Sequence, residues 1–333
     1  MKNANALEPV LQCLPELRPF ILDAGVSEIQ LNGDCPGAVW VERDGVSSCA
    51  TVRLDPVLLE SGVKRLARAV GEPLFDSAGR LLSPLLNCRF ADGSRLAVVF
   101  PPHSIHGITL VLRKFNVAHL GLDDLIERGM MTQEAADILT SGVVERKNIL
   151  LSGSTGTGKT TVANVLLDAI PAHERVLTIE NPAEFQSKRV DPEHSKAVRW
   201  EARADCSQAD LLQQALRFHP DRIVLGEFRG PEAFDLLTLM NTGCSGTLST
   251  CHAESAKDAL TRFLTCCLMD RRAPSEDSLR RMIGGSVQIV AHLAKNSEGV
   301  RKLNEIVTVD GYETKAQKYH FATLYGSVAE SGG

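Results

Sequence analysis

Eight consecutive residues carry the clearest chemistry in the chain: Gly153-Ser154-Thr155-Gly156-Thr157-Gly158-Lys159-Thr160. They match GxxxxGK[ST], the pattern of a loop that wraps nucleotide phosphates. Glycines reach positive φ and let successive amide N–H groups converge on phosphate oxygens. The helix that starts at the end of such a loop adds the positive end of its dipole. Lys159 then spans the β- and γ-phosphates of ATP and the Thr160 hydroxyl holds Mg²⁺. Gly153 to Thr161 make up the expected nucleotide-binding set. Hydrolysis also needs an acid at a neighbouring strand end. Arg222-Ile223-Val224-Leu225-Gly226-Glu227 supplies one, an apolar strand followed by glycine and glutamate. This is a Walker B reading, with Glu227 as the acid and a Mg²⁺ ligand.

Two further segments offer catalytic groups. Leu177-Thr178-Ile179-Glu180-Asn181-Pro182-Ala183-Glu184 closes another predicted strand. Parallel strands leave their C-terminal ends on one edge, where ligands bind, so Glu180 is expected beside the phosphate site. There it orients the attacking water or the metal shell. Asn181 cannot act as a base, and Glu184 reads as a surface charge. Gly246 to Thr250 form a short strand, with His252 shortly after it. A metal site built from Cys244, Cys251 and His252 lacks the paired spacing of a zinc site.

These residues need a scaffold of alternating elements. Ile149-Leu150-Leu151 is a buried-strand run before the loop, and Val162, Val165, Leu166, Ala169 and Ile170 follow at helical spacing after it. Strands at 148–152, 175–179, 222–225 and 246–250 alternate with helices at 160–170, 207–218, 231–242 and 255–269. Such alternation implies an α/β fold, a largely parallel sheet with helices on both faces. Two short helices are expected at 122–128 and 132–141. Runs at 288–293 and 304–309 return to strand. Before Arg113 the elements are mixed. Strands are expected at 26–32, 38–42 and 109–113, a helix at 57–70, and a hairpin over 88–100. Turns are read at 33–37 and 43–45. The organisation is thus a smaller α+β domain over 1–115, a linker over 116–130 and an α/β domain over 131–333.

Composition sets outer limits. The chain has 333 residues, 44% hydrophobic and 23% charged, which is a globular balance. A formal charge of −5 argues against a strongly basic nucleic-acid binder, and no stacked basic–aromatic stripe appears. No direct nucleic-acid binding is expected. There is no apolar run of membrane-spanning length, and the first residues lack a signal-peptide pattern. Nine scattered cysteines without a CxxC pair suggest reduced thiols. A cytoplasmic protein is expected.

In combination, GSTGTGKT, TIENPAE, RIVLGEFRGPEAFDLL and NTGCSGTLSTCHAESAKDALTRF resemble the secretion-ATPase superfamily. The resemblance is nearest to the TrbB-like conjugal-transfer ATPases of type IV secretion systems. It extends to VSEIQLNG, VWVERDG, FADGSRLAVVFPP and ITLVLRKF upstream and EIVTVDGY downstream. It implies a RecA-like P-loop NTPase domain behind an N-terminal domain, assembled as a homohexamer with ATP and Mg²⁺ bound between the two domains. It implies an ATP-hydrolysing motor that powers pilus biogenesis or substrate transfer. It places an Asp box at TIENPAE, Walker B at GEFRG and a His box at GCSGTLSTCHA, the last including His252. Two arginines of the family pattern that reach the phosphates fall on Arg95 and Arg113. The implied partners are inner-membrane components of the secretion complex, with peripheral membrane contact.

Two positions depart from the pattern. Asn181 stands where the Asp box has aspartate, and Cys244 stands where the His box begins with histidine. The four-cysteine zinc insertion of type II assembly ATPases is absent. Competing readings are a pilus retraction or type II secretion ATPase, a nucleotide-gated assembly scaffold with little turnover, and a small-molecule kinase.

Overall fold

The computed structural model describes residues 6–326, apart from 34–38, 44, 45, 51, 53, 73, 91, 116–119, 191–195, 204, 297 and 298. The expected turn at 33–37 lies outside the described residues from position 34, as do two residues of the turn at 43–45. The chain divides into two compact units, Met1–Val117 and Ala118–Gly333.

The first unit is an antiparallel sheet with helices packed on it. Its strands are β1 (Val26–Asn32), β2 (Val39–Arg43), β3 (Val46–Cys49), β4 (Leu85–Arg89), β5 (Arg95–Val99) and β6 (Thr109–Arg113). They are ordered β3-β2-β1-β6-β5-β4. Strand β1 buries Val26, Ile29 and Leu31. The spacing of three between the first two reflects a register shift between Val26 and Glu28. Helices α1 (Glu8–Cys13), α2 (Arg18–Leu22) and α3 (Pro56–Ala69) complete the layer. Asp55 caps α3 by accepting hydrogen bonds from the amides of Val57 (2.8 Å) and Leu58 (3.2 Å). Gly62 lets α3 press against α1, because a Cβ there would lie 2.2 Å from the Cys13 carbonyl oxygen.

The second unit carries an eight-stranded sheet. In chain order its strands are β7 (Ile149–Gly153), β8 (Val176–Glu180), β9 (Ala197–Glu201), β10 (Arg222–Leu225), β11 (Leu248–Cys251), β12 (Ile289–Lys295), β13 (Arg301–Glu313) and β14 (Lys318–Tyr325). Their spatial order is β14-β13-β12-β7-β11-β10-β8-β9. From β12 to β9 every neighbouring pair is parallel. Strands β13 and β14 close one edge antiparallel. Strands β7, β8, β10 and β11 are buried at every position, as expected for parallel strands covered on both faces.

Helices α4 (Leu122–Glu127), α5 (Gln133–Val144) and α6 (Lys159–Asp168) share one core with Ile149, Leu151, Val176 and Val224. Helices α7 (Gln208–Ala215), α8 (Glu232–Asn241), α9 (Ala256–Cys267) and α10 (Glu276–Ser286) share the other with Leu150, Leu177, Ile179, Ile223 and Leu225. Alternate residues of each strand therefore point to opposite helical layers. Of the stretch 116–130 expected as a linker, residues 116–119 lie outside the described residues. From Leu122 onward it belongs to the second unit, with Leu125 and Met130 buried in the α4–α6 core. The architecture is α/β with a RecA-like second unit.

The edge opposite the phosphate loop is fixed by charge. Arg222, at the start of β10, is fully buried and ion-paired with Glu174, and Arg146 lies 3.7 Å from the same carboxylate. Gly246 packs on this guanidinium with φ +78, and a Cβ there would lie 2.0 Å from Arg222 Nη1. Only glycine fits that approach and that backbone angle.

Candidate nucleotide site

The C-terminal ends of β7, β8, β10 and β11 lie on one edge of the parallel sheet. Each ends on, or within two residues of, a residue singled out from the sequence: Gly153, Glu180, Glu227 and His252. Strand β7 runs into the loop 154–158, and α6 begins at Lys159. Gly153, Gly156 and Gly158 have φ of +152, +73 and +95. A Cβ at Gly153 would lie 2.3 Å from the Leu293 carbonyl oxygen, so the loop mouth rests directly on β12. Thr157 is fully buried and donates to the Ser154 carbonyl at 2.9 Å, which closes the turn. Ser154 and Thr155 are exposed at the crown, and Thr161 sits half-buried in the first turn of α6.

Lys159 is 7% exposed, and its ammonium donates to the carbonyls of Gly153 (2.8 Å) and Ser154 (2.9 Å). Burial pushes its pKa down, and the nearby Glu227 carboxylate opposes that shift. Lys159 and Glu227 therefore face one field, as the sequence pattern requires. Glu227 lies two residues past β10. Arg229 Nη2 donates to its Oε2 at 2.8 Å, and His252 Nε2 lies 2.8 Å from its Oε1. Gln208 at the start of α7 holds the Glu227 carbonyl at 3.2 Å. Burial lowers the pKa of His252, an effect that Glu227 counters and Lys159 and Arg229 reinforce.

Glu180 behaves differently from Glu227. It is 2% exposed, and its Oε2 accepts from the amides of Glu184 (2.5 Å) and Phe185 (2.7 Å). Burial pushes its pKa up to about 7 against those two hydrogen bonds and the attraction of Arg199, whose Nη2 lies 3.8 Å from Oε1. It packs on Gly226, where a Cβ would come within 3.2 Å of Glu180 Cγ. Glu180 thus fixes the loop 181–185 from beneath. Asn164 on α6 supports the next residues by accepting from the amides of Gln186 (2.7 Å) and Ser187 (3.1 Å).

That loop delivers Glu184 to Thr160, whose Oγ1 donates to Glu184 Oε2 at 3.4 Å. The sequence reading placed Glu184 on the surface. Its partner is set by the loop's path, for which one sequence carries no signal. Arg199, Arg229 and Gln208 were missed for the same reason. Thr160, Glu184 and Glu227 present hydroxyl and carboxylate oxygens, the hard donors that suit Mg²⁺. Such sites commonly use one or two carboxylates together with substrate phosphates. The site residues therefore fit a Mg–nucleotide.

Cys244 precedes β11 and His252 follows it, so they sit at opposite ends of that strand. Among the described residues no group of three or more His, Cys, Asp or Glu could hold a metal ion, which leaves no Cys244–Cys251–His252 site. Cys244 is near Arg146 instead, at the edge away from the phosphate loop.

In the first unit, Arg95 and Arg113 are direct cross-strand partners on β5 and β6. The row continues to Arg89 on β4 and to Glu28 on β1. Arg113 Nε lies 3.7 Å from Glu28 Oε2. Directly opposed like charges disfavour a sheet, and Glu28 in the same row offsets part of that repulsion at Arg113.

The family described as "Type II/IV secretion system protein" matches residues 19–319. The chain belongs to this family. Within it, the chain is similar to the conjugal transfer protein TrbB of Rhizobium radiobacter, with 29% identity over 91% of this chain and 90% of that protein. It is also similar to the type IV secretion system protein VirB11 of Brucella suis biovar 1, with 29% identity over 84% of each. Among solved structures, the Legionella pneumophila ATPase DotB shares the fold at a TM-score of 0.62. That match has 19% identity and covers 90% of this chain and 81% of that one. The family match spans both units and includes the phosphate loop, Glu180, Glu227 and His252.

Proposed function

We propose that the chain is the ATP-hydrolysing motor subunit of a type IV secretion or conjugal transfer apparatus. The observation that carries this reading is the buried Lys159 ammonium in the glycine loop, in the field of a Glu227 carboxylate flanked by Arg229 and His252. Gly153 to Thr161 bind the triphosphate, with Lys159 leaving the loop carbonyls for phosphate oxygens. Thr160, Glu184 and Glu227 would hold Mg²⁺, which would supply positive charge against the negative charge that develops on the transferring phosphoryl group. Glu227 orients and deprotonates the attacking water, with His252 fixing its carboxylate. Glu180 acts through the 181–185 loop rather than on water directly.

The subunits act as a homohexameric ring on the cytoplasmic side. They dock on inner-membrane components of the complex and touch the membrane only peripherally. Among the described residues no helix is long and apolar enough to cross a membrane. Asn181 and Cys244 are the two positions that would favour a scaffold with little turnover. Cys244 lies at the far strand end, away from the phosphate loop, while Asn181 opens the 181–185 loop beside Glu180 with its side chain exposed. Phosphate release from ATP is expected with Mg²⁺ and is expected to collapse in excess EDTA. Turnover indifferent to EDTA would remove the metal assignment.

A further inference from the structure

Behind the phosphate loop, a polar row crosses an otherwise apolar face of the sheet. Ser152 on β7, His292 on β12 and Glu305 on β13 are in register, so their side chains share one face. All three are buried, at 0%, 7% and 7% exposure. Ser152 Oγ and His292 Nδ1 are 2.9 Å apart. Glu305 Oε1 accepts from the Ala256 amide at 2.8 Å, the first residue of α9. On the same face the preceding row, Leu150, Val290 and Val307, is packed beneath the helices as core. Burying polar groups at this position has a cost that an apolar row would avoid.

The two ends of this row are informative. Ser152 directly precedes Gly153, whose carbonyl holds Lys159 and whose Cα rests on the Leu293 carbonyl. Ala256 follows His252 by four residues, and His252 contacts Glu227. A serine, histidine and glutamate at a surface would suggest nucleophilic catalysis, but burial denies these a substrate. We propose that Ser152, His292 and Glu305 are positioning residues, a brace that holds the phosphate-loop mouth and the His252 segment in one fixed relation during turnover. This rests on the ATPase reading given above. Burial lowers the pKa of His292, an effect that the neighbouring Glu305 opposes.

The test uses the full chain with His292→Ala, His292→Asn and Ser152→Ala. Asparagine keeps a polar atom where Nδ1 meets Ser152. His292→Ala is expected to lower kcat about tenfold with KM for ATP within about twofold, because both ends of the brace act at the transferring phosphoryl group. His292→Asn should recover most of that loss. Ser152→Ala should add little to His292→Ala, as partners in one contact do. In the nucleotide-free protein, hydrogen exchange should quicken in His292→Ala at both 153–159 and 254–258, and not at 176–180. Wild-type kcat in His292→Ala, or faster exchange confined to 289–293, would overturn the proposal. Absence of turnover in the unmodified protein would count against the hydrolysis reading alone, and the exchange result would still decide the brace.

Discussion

Lys159→Ala is expected to lower nucleotide turnover by about 10²–10³-fold while leaving the fold intact. The ammonium is the one cation built into the loop itself, and it is already drawn in by two loop carbonyls at 2.8 and 2.9 Å. On nucleotide binding it exchanges those carbonyls for phosphate oxygens, which costs little because both partners are pre-placed. Removing one such pre-placed charge from a developing anion lowers kcat by about 10²–10³-fold. The Gly153 carbonyl left behind is buried and the Ser154 carbonyl part-buried, so a stability loss of about 1–3 kcal/mol is expected. Calorimetric titration with ATP should show weakened binding, and circular dichroism should be unchanged. Wild-type turnover in this variant would displace the site altogether.

Glu180→Gln is expected to make the protein more stable and less active. The carboxyl is nearly fully buried and its pKa is pushed up to about 7 from an ordinary value of 4.5. A carboxyl raised in the folded state contributes most below its unfolded pKa, and that contribution is lost as pH rises through the folded one. At pH 8 the ion is present in both states and the folded state bears the penalty. A shift of this size corresponds to about 3 kcal/mol. Glutamine fills the same space, stays neutral and still offers one oxygen to the Glu184 and Phe185 amides. Its gain should therefore be absent near pH 4.5, grow through pH 7 and stand at about 3 kcal/mol by pH 8. For a unit of this size that is a rise of roughly 6–12 °C in the unfolding midpoint. Turnover should fall about tenfold, because the oxygen that faces Arg199 becomes an amide N–H₂, which repels the guanidinium that also holds the Phe185 carbonyl of the 181–185 loop. Paired thermal melts and phosphate-release assays from pH 4.5 to 8 check both halves. A variant that is stabilised yet fully active would show that the ionised form serves no function.

Much of this arrangement was legible in the residues. The glycine loop, the Glu227 strand end and the strand–helix alternation all have short-range signals, and the structure has these elements at those places. Residues 197–201 were missed as a strand because β9 is an edge strand with no fully buried position, so its pattern is blurred. Helix α10 was missed because Gly284 and Gly285 weaken its last turn. Gly284 is small for a reason that lies 27 residues away, since a Cβ there would lie 3.0 Å from the backbone of Gly311 and Tyr312. The division of labour between Glu180 and Glu227 was not legible either. Both follow an apolar strand run in the sequence, Glu180 directly and Glu227 after one glycine. Only the fold buries one under its own loop and leaves the other beside Lys159. Glu184 and His292 gain their meaning from contacts 24 and 140 residues away in the chain.

The most direct measurement is steady-state ATP hydrolysis by the purified chain with Mg²⁺, beside Glu227→Gln. Glutamine keeps the size of the side chain but neither ionises nor accepts a proton, so a loss of about 10²-fold or more is expected with ATP still bound. Turnover in the wild type that disappears in the variant is the predicted result. Undiminished hydrolysis in Glu227→Gln, or no hydrolysis in either protein while ATP binds tightly, would contradict a motor built on this site.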